Sequence, residues 1–484
     1  MSKKTRTILF LICLFLFLSI TPLVILYSQG YRFDLNPPDG GIKITQTGGI
    51  FIKTEPKQAE IYIDNELIKR TDFFFGSALV ENLLPKRYKI EIKKENYLTW
   101  EKNLEIREKE VTEIKNIILF PKNMILDSLI FNQEGNTIIN NFWFSPDKKK
   151  MVLLEKDNSF SPPSLPKENP ELEENNSESE KNEKAWALKL YDLERNIKSH
   201  LISEADIYKQ GADLINLEFS DDSKDIYLDV EIVKELSQPG TFSSSPENQK
   251  KTFILKLDKL PLQLSEKEII PLPENIITLK KYNQDTYYLD NSGYFLKNEL
   301  KMNEIPLPIE PEINYSFEIF SDYIFLITAK SSGPSLQSII RSPASRQRNL
   351  YLFSTESKSF ELFFERINGL EISPEKRKMA FFSDSEVWVL FLKDEGIKKA
   401  GDKLFISRLS ERIDNVVWLN SDYLIFNSGN NLKIAELDDR DRIQVWDINT
   451  SPNFDTEMKI YFNQDNKKLY ILNKGSLFIS QKIF

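Results

Sequence analysis

Hydrophobic residues follow three successive patterns along this chain, and each pattern predicts a different structure. The first is an uninterrupted run from Thr7 to Tyr27, which has 21 residues and no charge. As a helix, such a run spans roughly 31 Å, close to the hydrocarbon thickness of a bilayer. The sequence therefore predicts one transmembrane helix over residues 7–27, preceded by a cytoplasmic tail over residues 1–6.

The charges before this run predict its orientation. Lys3, Lys4 and Arg6 precede it, and basic residues favour the cytoplasmic side of a membrane. All residues after the run are then expected outside the cytoplasm. A cleaved signal peptide is the alternative, because Ser28 and Gly30 are small residues that suit a cleavage point. We favour a retained helix, since the apolar run is longer than that of most signal peptides.

The second pattern is an alternation of apolar and polar residues, which begins after a linker over residues 28–47. It is clear in AEIYID at residues 59–64 and in YKIEIKKENY at residues 88–97. Alternation is typical of antiparallel strands with one buried face. Residues 48–121 are therefore predicted to form a small all-β domain.

Several positions of this small domain resemble the PEGA domain. They are Pro56, Ala59, Tyr62 and Asp64 in EPKQAEIYIDNELI, and Leu84, Pro85, Tyr88 and Tyr97 in LLPKRYKIEIKKENYLTW. The resemblance implies a non-catalytic β-sandwich module of surface proteins, with a spacer or adhesion role. Tyr97 and Trp100 are candidates for stacking on a sugar, but we favour packing of one of them in the small core.

The resemblance has departures at turn positions. Lys57 and Gln58 stand where the family has a glycine before the alanine, and Lys86 and Asn96 replace two further glycines. Glycine reaches positive φ without strain, whereas side chains disfavour it. We therefore expect turns of a different type at these places.

The third pattern is a recurring phrase, in which an apolar run, a polar turn and a second apolar run follow one another. Four copies are clear: FSPDKKKMVLL at 144, FSDDSKDIYL at 219, ISPEKRKMAFF at 372 and FNQDNKKLYIL at 462. Weaker copies are YNQDTYYLD at 282, FSDYIFLIT at 320 and LNSDYLIFN at 419. A phrase that returns every 38 to 75 residues indicates repeated supersecondary units, and the shorter intervals match a four-stranded propeller blade.

The fold class predicted for the chain is therefore all-β, with a β-propeller over residues 122–484. Seven blades are favoured, and six are the alternative if the weak unit at 282 belongs to its neighbours. Trp143 and Trp418 directly precede two copies of the phrase. Their equivalent positions indicate packing between blades rather than contact with a ligand.

Individual strands of the repeats support this interpretation. Proline at the second turn position, as in Ser145-Pro146, presets φ for a type I turn. The third strands WALKLYDLERN, NLYLFSTESKS and LKIAELDDRDR resemble the corresponding strand of WD40-like and TolB-like propellers. The last unit has room for only three strands. MILDSLIF at residues 124–131 is therefore predicted to complete the last sheet and remove its open edge.

Three long polar segments interrupt the repeats at residues 157–184, 237–251 and 331–348. They are rich in serine, proline, asparagine or charge, which predicts loops. Each falls between the second and third strands of its unit, in blades 1, 2 and 4, so all three are expected on one face of the propeller. A partner surface and neutral drift of surface loops explain them equally well. The first segment is acidic, whereas the third contains Arg341, Arg346 and Arg348.

Composition narrows the classes of function. The 484 residues include 40% hydrophobic and 28% charged residues, which is typical of a folded protein. The net charge of -9 argues against a nucleic acid partner, which needs clustered basic residues. Cys13 is the single cysteine and lies in the apolar N-terminal run, so neither an intramolecular disulfide nor a cysteine metal cluster is expected.

Catalytic and metal-ligating patterns are not found in the sequence, so no catalytic residue, metal or cofactor is predicted. His200 is the only histidine and is interpreted as an ordinary surface or strand residue. Asp438, Asp439 and Asp441 form the densest acidic turn. We interpret them as solvated turn residues rather than as a calcium or catalytic site.

Two classes of function remain. We favour a non-enzymatic, membrane-anchored, extracytoplasmic protein of the cell envelope, whose propeller binds a protein or a polysaccharide and whose PEGA-like module is a spacer. The alternative is an envelope enzyme that hydrolyses glycans with carboxylates in the propeller's central channel, since two carboxylates suffice for that reaction. A pair of acidic residues at the channel mouth would favour the enzyme. The sequence leaves the oligomeric state open.

Overall fold

The computed structural model is rich in strands and has a single long helix at its N-terminal side. It describes residues 3–34, 40–129, 137–157, 186–207, 212–220, 222–232, 249–258, 263–267, 275–330, 348–455 and 458–484. The three predicted polar insertions lie outside these residues except at their ends. Arg341 and Arg346 are therefore not described, whereas Arg348 begins a strand.

Helix α1 (Lys3–Ser28) contains the predicted apolar run and is slightly longer. Its segment Thr5–Ser28 has a mean hydropathy of 2.9 and is uncovered by the rest of the described chain, so it is long and apolar enough to cross a membrane. The predicted linker contains a hairpin of β1 (Tyr31–Asp34) and β2 (Lys43–Gln46). The backbone N–H of Thr47 donates to Gly30 O at 2.9 Å, which places the helix end beside the next domain.

Two facing sheets form the small domain. Its strands are β3 (Gly48–Glu55), β4 (Glu60–Ile63), β5 (Glu66–Arg70), β6 (Ser77–Leu83), β7 (Arg87–Lys93), β8 (Trp100–Glu105) and β9 (Val111–Ile118). One sheet has the order β6-β3-β9 and the other the order β5-β4-β7-β8. Both contribute to one apolar core, which includes Ile50, Ile61 and Trp100. The predicted small all-β domain is thus confirmed, because alternate residues of facing strands fill one core.

The first five repeated units are separate four-stranded sheets. Sheet 1 comprises β11 (Thr137–Phe144), β12 (Lys150–Asp157), β13 (Trp186–Asp192) and β14 (Ile197–Ser203). After the short helix α2 (Glu204–Ile207), sheet 2 comprises β15 (Ala212–Phe219), β16 (Asp225–Ile232), β17 (Gln249–Lys256) and β18 (Gln263–Lys267). Sheet 3 comprises β19 (Ile276–Tyr282), β20 (Asp285–Asp290), β21 (Phe295–Lys297) and β22 (Leu300–Lys301).

Sheets 4 and 5 repeat the same order. Sheet 4 comprises β23 (Ile313–Phe320), β24 (Tyr323–Lys330), β25 (Arg348–Ser354) and β26 (Ser359–Phe364). Sheet 5 comprises β27 (Gly369–Ile372), β28 (Lys378–Phe382), β29 (Glu386–Phe391) and β30 (Lys403–Arg408). Neighbouring strands within each sheet are antiparallel, as connections of only a few residues require.

The last two units join into one eight-stranded sheet. Sheet 6 comprises β31 (Val416–Trp418), β32 (Tyr423–Ser428), β33 (Asn431–Glu436) and β34 (Val445–Ser451), and sheet 7 comprises β35 (Met458–Asn463), β36 (Lys468–Asn473) and β37 (Ser476–Ser480). Strand β10 (Asn123–Ser128) lies between β34 and β37. It pairs antiparallel with β37, where Leu126 faces Ser480, and parallel with β34. The segment predicted to complete the last sheet therefore does so, and it removes that open edge.

All seven recurring phrases lie at the connection between the first and second strands of a sheet. In three of them a turn serine accepts a hydrogen bond from the backbone N–H five residues later, at Ser145 (3.0 Å), Ser220 (2.9 Å) and Ser373 (2.9 Å). The carbonyl of each serine also accepts from the third residue after it, and that residue has positive φ. In these three copies the serine closes the same hydrogen-bonded turn, which accounts for the similarity of their sequences.

The seven units follow one another as in a propeller, and we call the space between their first strands the channel. Apolar clusters join sheet 1 to 2, 3 to 4, 4 to 5, 5 to 6, 6 to 7 and 7 to 1. The first strand of every sheet has a hydrogen-bonded neighbour on one side only, so its other edge faces the centre. Trp418 is buried between sheets 5 and 6, and Trp143 packs against the cluster of sheets 1 and 2, as predicted.

The connections between second and third strands differ in length. They cover residues 158–185, 233–248 and 331–347 in sheets 1, 2 and 4, and only two to four residues in the other four sheets. Since strands alternate in direction, equivalent connections emerge on the same face. Turns between first and second strands emerge on the opposite face.

Candidate functional site

Charged side chains are buried at several places in the described chain, including Glu91, Glu155 and Lys378. Two groups of enclosed charges are candidates for function. The first lies at the contact of the small domain with sheet 6, which we call the junction. Edge strand β8 forms the small domain's side of the junction. The backbone N–H of Glu101 donates to Gln444 Oε1 at 3.2 Å, and that of Asn103 donates to Asp441 Oδ2 at 2.9 Å. Side chains between β33 and β34 therefore cover a strand edge that would otherwise be open to pairing.

A buried ion pair lies at the centre of the junction. The side chain of Lys102 is fully buried, that of Glu436 is 4% exposed, and Nζ lies 2.5 Å from Oε1. Lys102 also donates to the carbonyls of Asp438 at 2.6 Å and Arg442 at 2.7 Å. The indole N–H of Trp100 donates to Glu436 Oε2 at 2.8 Å. Glu436 Oε2 thus has a hydrogen-bond donor, whereas the buried Oε1 receives no hydrogen bond in the described chain and is stabilised by the adjacent ammonium charge.

Aromatic residues complete the junction beside this pair. The ring of Phe120 lies 5.4 Å from that of Tyr423 and 6.0 Å from that of Trp446. Tyr423 Oη accepts from the backbone N–H of Ile118 at 3.1 Å. Trp446 donates its indole N–H to Thr99 O at 3.1 Å. These contacts remove apolar surface from water while each buried polar group keeps a partner.

The acidic turn identified in the sequence lies at the rim of the junction. Asp441 pairs with Arg87 of the small domain at 3.0 Å, Asp438 pairs with Arg440 at 2.7 Å, and Asp439 pairs with Lys398 at 2.5 Å. The three side chains remain partly exposed, with 17 to 35% of their surface accessible. The aspartates pair with basic side chains and lie close to β8. More than 330 residues of sequence separate them from that strand, so local composition does not indicate this contact.

Burial dominates the electrostatics of the junction. It raises the pKa of Glu436 to about 7, although Lys102 opposes this shift. Burial likewise raises the pKa of Tyr423 well above the usual value. The pKa of Asp438 is lowered, because hydrogen bonds and charge from Arg440 outweigh its burial. The junction thus holds a carboxyl group that titrates near neutral pH.

The second enclosed group of charges lies in the channel and consists of Lys148, Glu371, Lys459 and Tyr461, which we call the channel cluster. Lys148 lies in the turn after β11 and donates from Nζ to Tyr461 Oη at 2.6 Å. The Tyr461 ring stacks on Phe144 with a centroid distance of 4.0 Å. The turn of sheet 1 and the first strand of sheet 7 therefore meet at this end of the channel.

Lys459 lies further along the same channel wall. Lys459 and Tyr461 are two residues apart in β35, so their side chains are on one face of the strand. The Lys459 ammonium donates to Asn141 Oδ1 and lies 5.5 Å from the ring centroid of Phe142 and 5.8 Å from that of Trp143. It is held by an amide oxygen and aromatic faces rather than by a carboxylate.

Glu371 belongs to β27 of sheet 5, on another part of the channel wall. Its side chain remains accessible to solvent, although protein surrounds it on most sides. The resulting loss of bulk water raises the pKa of Glu371 to about 7, and the charge of Lys148 opposes this shift. The same enclosure lowers the pKa of Lys459 to about 8. It also lowers the pKa of Lys148, against the charges of Asp465 and Glu371. Each group is shifted toward its neutral form.

Residues 47–118 match the family model of the PEGA domain. This part of the chain is a PEGA domain. The match coincides with β3 to β9 and confirms the resemblance that the sequence indicates over residues 48–121. The PEGA domain contributes β8 and its flanking residues to the junction.

Solved structures similar to the chain have low identity to it. YCF48 bound to D1 peptide has 10% identity and a TM-score of 0.35, with 74% of this chain and 95% of that chain covered. Hsv2 of Kluyveromyces lactis has 10% identity and a TM-score of 0.32, with coverages of 57% and 74%. The designed protein Ika8 has 10% identity and a TM-score of 0.32, with coverages of 90% and 99%. No curated protein matches the chain.

The aromatic residues proposed for sugar stacking are core residues of the PEGA domain. Trp100 is 1% exposed and Tyr97 packs partly against the same cluster. Packing in the small core is therefore confirmed. The expectation of altered turns is wrong at two places, because Gln58 (φ 59°) and Asn96 (φ 65°) both adopt the left-handed conformation. Tertiary contacts hold these turns in the glycine-like conformation despite a side chain.

The PEGA domain has an exposed aromatic turn that was not predicted from the sequence. The three consecutive phenylalanines before Gly76 are the sequence feature that could have indicated it. Phe73, Phe74 and Phe75 are 65%, 75% and 75% exposed. Asp72 fixes the turn by accepting from the backbone N–H groups of Phe74, Phe75 and Ser77 at 2.6 to 2.8 Å. These bonds hold the pKa of Asp72 well below its usual range. The turn lies at the end of β3 that is remote from α1.

The described residues offer no metal centre, since no group of three or more His, Cys, Asp or Glu side chains is placed to hold an ion. His200 lies on β14 with its side chain 48% exposed, 3.8 Å from Asp206. It is a surface strand residue in the described chain.

Proposed function

We propose that this protein is a membrane-anchored, extracytoplasmic scaffold of the cell envelope, and that its propeller presents a binding surface for an envelope protein or polysaccharide. The PEGA domain acts as a rigid spacer between the membrane and the propeller. The protein performs no reaction in this role. The junction is the observation that carries the proposal.

Contacts that run from the helix to the propeller support a rigid connection. Arg32, in the hairpin after α1, lies 3.6 Å from the Tyr27 ring centroid and donates to Asn82 Oδ1 of the PEGA domain at 2.7 Å. At the other side of the PEGA domain, the buried pair of Lys102 and Glu436 holds sheet 6. A flexible tether would not need a buried ion pair, because separation of the two residues would leave each charge buried without its partner.

The position of the long connections supports the proposal that the propeller has a surface for a partner. The connections of sheets 1, 2 and 4 leave the propeller on the face opposite the turns between first and second strands. Asp422 lies in such a turn of sheet 6 and accepts from Asn116 of the PEGA domain at 2.8 Å. The PEGA domain thus supports one face, and the long connections decorate the other, which faces away from the anchor.

The proposal is tested by cross-linking in native membranes. Full-length protein is compared with a variant in which residues 158–185, 233–248 and 331–347 are each replaced by a four-residue turn. We expect the full-length protein to cross-link to a defined envelope component and the trimmed variant to lose it. Equal cross-linking by both would exclude this face as the binding surface.

The anchor is tested in the same preparation. We expect the membrane fraction to contain the N-terminal peptide of the chain, and alkaline carbonate to leave the protein in the membrane. A mature N-terminus after residue 28 would show a cleaved signal peptide and overturn the anchoring part of the proposal. The cross-linking result would still stand on its own.

A second candidate function, glycan hydrolysis, is favoured by Glu371 alone. A carboxyl group that titrates near pH 7 suits a general acid, and a hydrolase needs a second carboxylate within about 5 to 9.5 Å. Asp465, which also acts on Lys148 electrostatically, is the candidate for that role. Release of reducing ends from envelope glycans by the wild type, and its loss in Glu371→Gln, would favour this function over the scaffold.

A further inference from the structure

The two lysines of the channel cluster form no ion pair with another described residue. Lys148 and Lys459 flank Tyr461, and neither ammonium has a carboxylate within 4 Å among the residues that the structure describes. The buried lysines of the described chain have carboxylate partners. Lys102 pairs with Glu436 at 2.5 Å, and Lys378 pairs with Glu395 at 2.8 Å and Glu375 at 3.1 Å.

Tyr461 adds a hydrogen-bond donor between these two cations. Its Oη accepts from Lys148, which leaves the hydroxyl proton free to donate, and no described residue accepts it. Stacking on Phe144 fixes the direction of the ring. Lys148 Nζ and the Tyr461 hydroxyl are thus in direct contact, and Lys459 lies on the same face of β35 as Tyr461, so the three donors share one wall of the channel.

Two cations without a paired carboxylate, beside a hydroxyl donor, favour an anion. Enclosing a cation without a counter-charge costs free energy, and an oxyanion that enters the channel recovers part of that cost through charge-assisted hydrogen bonds. We propose that Lys148, Lys459 and Tyr461 form a binding site for an oxyanion, a phosphate or carboxylate group, in the propeller channel. This inference rests on the proposed binding function and names the chemistry of one ligand group.

The acidic residues near the site set its pH dependence. Glu371 and Asp465 both act on Lys148, and Glu371 also acts on Tyr461. As pH rises, ionisation of Glu371 adds a repelling charge, and deprotonation of Lys459 removes an attracting one. Both changes weaken anion binding, so the affinity for acetate, whose own charge is constant in this range, should fall as pH rises through about 7 to 8.

Calorimetric titration of the full-length protein in detergent tests the site. Sodium phosphate and sodium acetate are the two probes, and sodium chloride at equal ionic strength is the reference. We expect saturable binding of at least one oxyanion at pH 6.5. Lys459→Met and Tyr461→Phe should each weaken it about tenfold, since each removes one strong hydrogen-bond donor. Comparison of the two probes distinguishes phosphate from carboxylate.

Lys149→Met is the matched control. Lys149 lies in the same turn as Lys148, but its side chain is 59% exposed and pairs with Glu194 at 3.0 Å. We expect its affinity for the probe to equal that of the wild type. The proposal is overturned if neither oxyanion binds, or if Lys149→Met weakens binding as much as Lys459→Met.

Melting temperatures guard against misfolded variants. Phosphate should raise the melting temperature of the wild type and of Lys149→Met, but not that of Lys459→Met. Because purified protein and small anions are used, failure here leaves the scaffold proposal open to its own cross-linking test. Failure of that test would likewise leave the anion site unaffected.

Discussion

Lys102 at the junction and Lys459 in the channel are both enclosed lysines, but their surroundings differ. Lys102 is fully buried and its ammonium faces one carboxylate and two backbone carbonyls. Lys459 is accessible to solvent and faces one amide oxygen and two aromatic rings. The ammonium of Lys102 contacts only groups at the interface that holds the two domains together. The ammonium of Lys459 has no carboxylate partner among the described residues, so its charge is available to a ligand.

This difference separates structural charge from functional charge. A buried ion pair fixes one arrangement of the chain, and removal of either partner leaves an isolated charge. Enclosed charge without a partner makes the folded state less stable, and such groups cluster at binding sites. The two lysines should therefore respond in opposite ways to the same substitution.

The largest effect is expected for Lys102→Met. The variant leaves Glu436 buried without its cation and loses the bonds to the carbonyls of Asp438 and Arg442. We expect the free energy of unfolding to fall by about 3 to 5 kcal/mol. Urea unfolding of the detergent-solubilised chain at pH 8 measures it. Loss of protection of the β8 amides from hydrogen exchange would show that the junction is the region affected.

Two variants make this test specific. Lys102→Met combined with Glu436→Leu should recover most of the loss, because an apolar pair of similar volume replaces the ion pair. Lys89→Met removes a lysine that is 41% exposed and pairs with Glu91 on the same domain. Its effect should stay below about 1 kcal/mol. An equal loss in both single variants would contradict the special role of Lys102.

The next largest effect is expected in how the free energy of unfolding depends on pH, through Glu436 in the junction. The pKa of Glu436 rises from an ordinary 4.5 to about 7 on folding. The folded chain thus binds this proton more tightly, so its contribution to stability is present below about pH 4.5 and is lost as pH rises through 7. The loss amounts to at most about 3 kcal/mol.

The difference in unfolding free energy between wild type and Glu436→Gln isolates this contribution from other carboxyl groups. We expect the difference to change between about pH 4.5 and pH 7 and to be constant at higher pH. Glu371→Gln, measured in parallel, reports the channel carboxyl group separately. A difference that does not vary with pH would mean that Glu436 titrates as an ordinary carboxyl group.

A smaller effect is expected for Tyr423→Phe. The substitution removes the hydroxyl that accepts from the buried N–H of Ile118 and leaves that donor unpaired. We expect a loss of about 1 to 3 kcal/mol by urea unfolding. Tyr282→Phe is the matched control, because Tyr282 Oη accepts from the exposed N–H of Ser321 at 3.0 Å, and water can replace it there. Similar losses in both variants would argue against burial as the cause.

Much of the fold follows from local sequence patterns. The alternation in residues 48–121 predicts the small domain, and the recurring phrase predicts the turns, because a serine such as Ser145 closes its turn with bonds inside the phrase. The missing strand of the last unit predicts the pairing of β10 with β37. All of these signals lie within a few residues or follow from the need to remove an open edge.

The two charged regions could not be predicted in this way. Trp100 and Glu436 are 336 residues apart in sequence, and nothing near either residue indicates its partner. The contact of Asp441 with the PEGA domain was not predicted, because local charge does not show which surface packs against a turn. Lys148 and Tyr461 likewise meet only when the turn of sheet 1 reaches the first strand of sheet 7. Pairings of this kind arise from tertiary contact alone.

The smallest effect is expected for Lys459→Met, and its sign is opposite to that of Lys102→Met. Enclosure lowers the pKa of Lys459 to about 8, so the folded chain binds its proton less tightly than the unfolded chain. The charged group therefore costs stability at pH 7, and this cost is relieved as pH rises from about 8 to 10.5. Because solvent reaches the side chain, the cost is no more than about 1 kcal/mol.

Lys459→Met should thus leave the unfolding free energy at pH 7 unchanged or raise it by up to about 1 kcal/mol. Methionine keeps the contact with the rings of Phe142 and Trp143 while the charge is removed. Urea unfolding at pH 7 in chloride buffer, without phosphate, is the measurement. A loss comparable to that of Lys102→Met would mean that Lys459 also holds the structure together, and the channel charge would then be structural rather than available to a ligand.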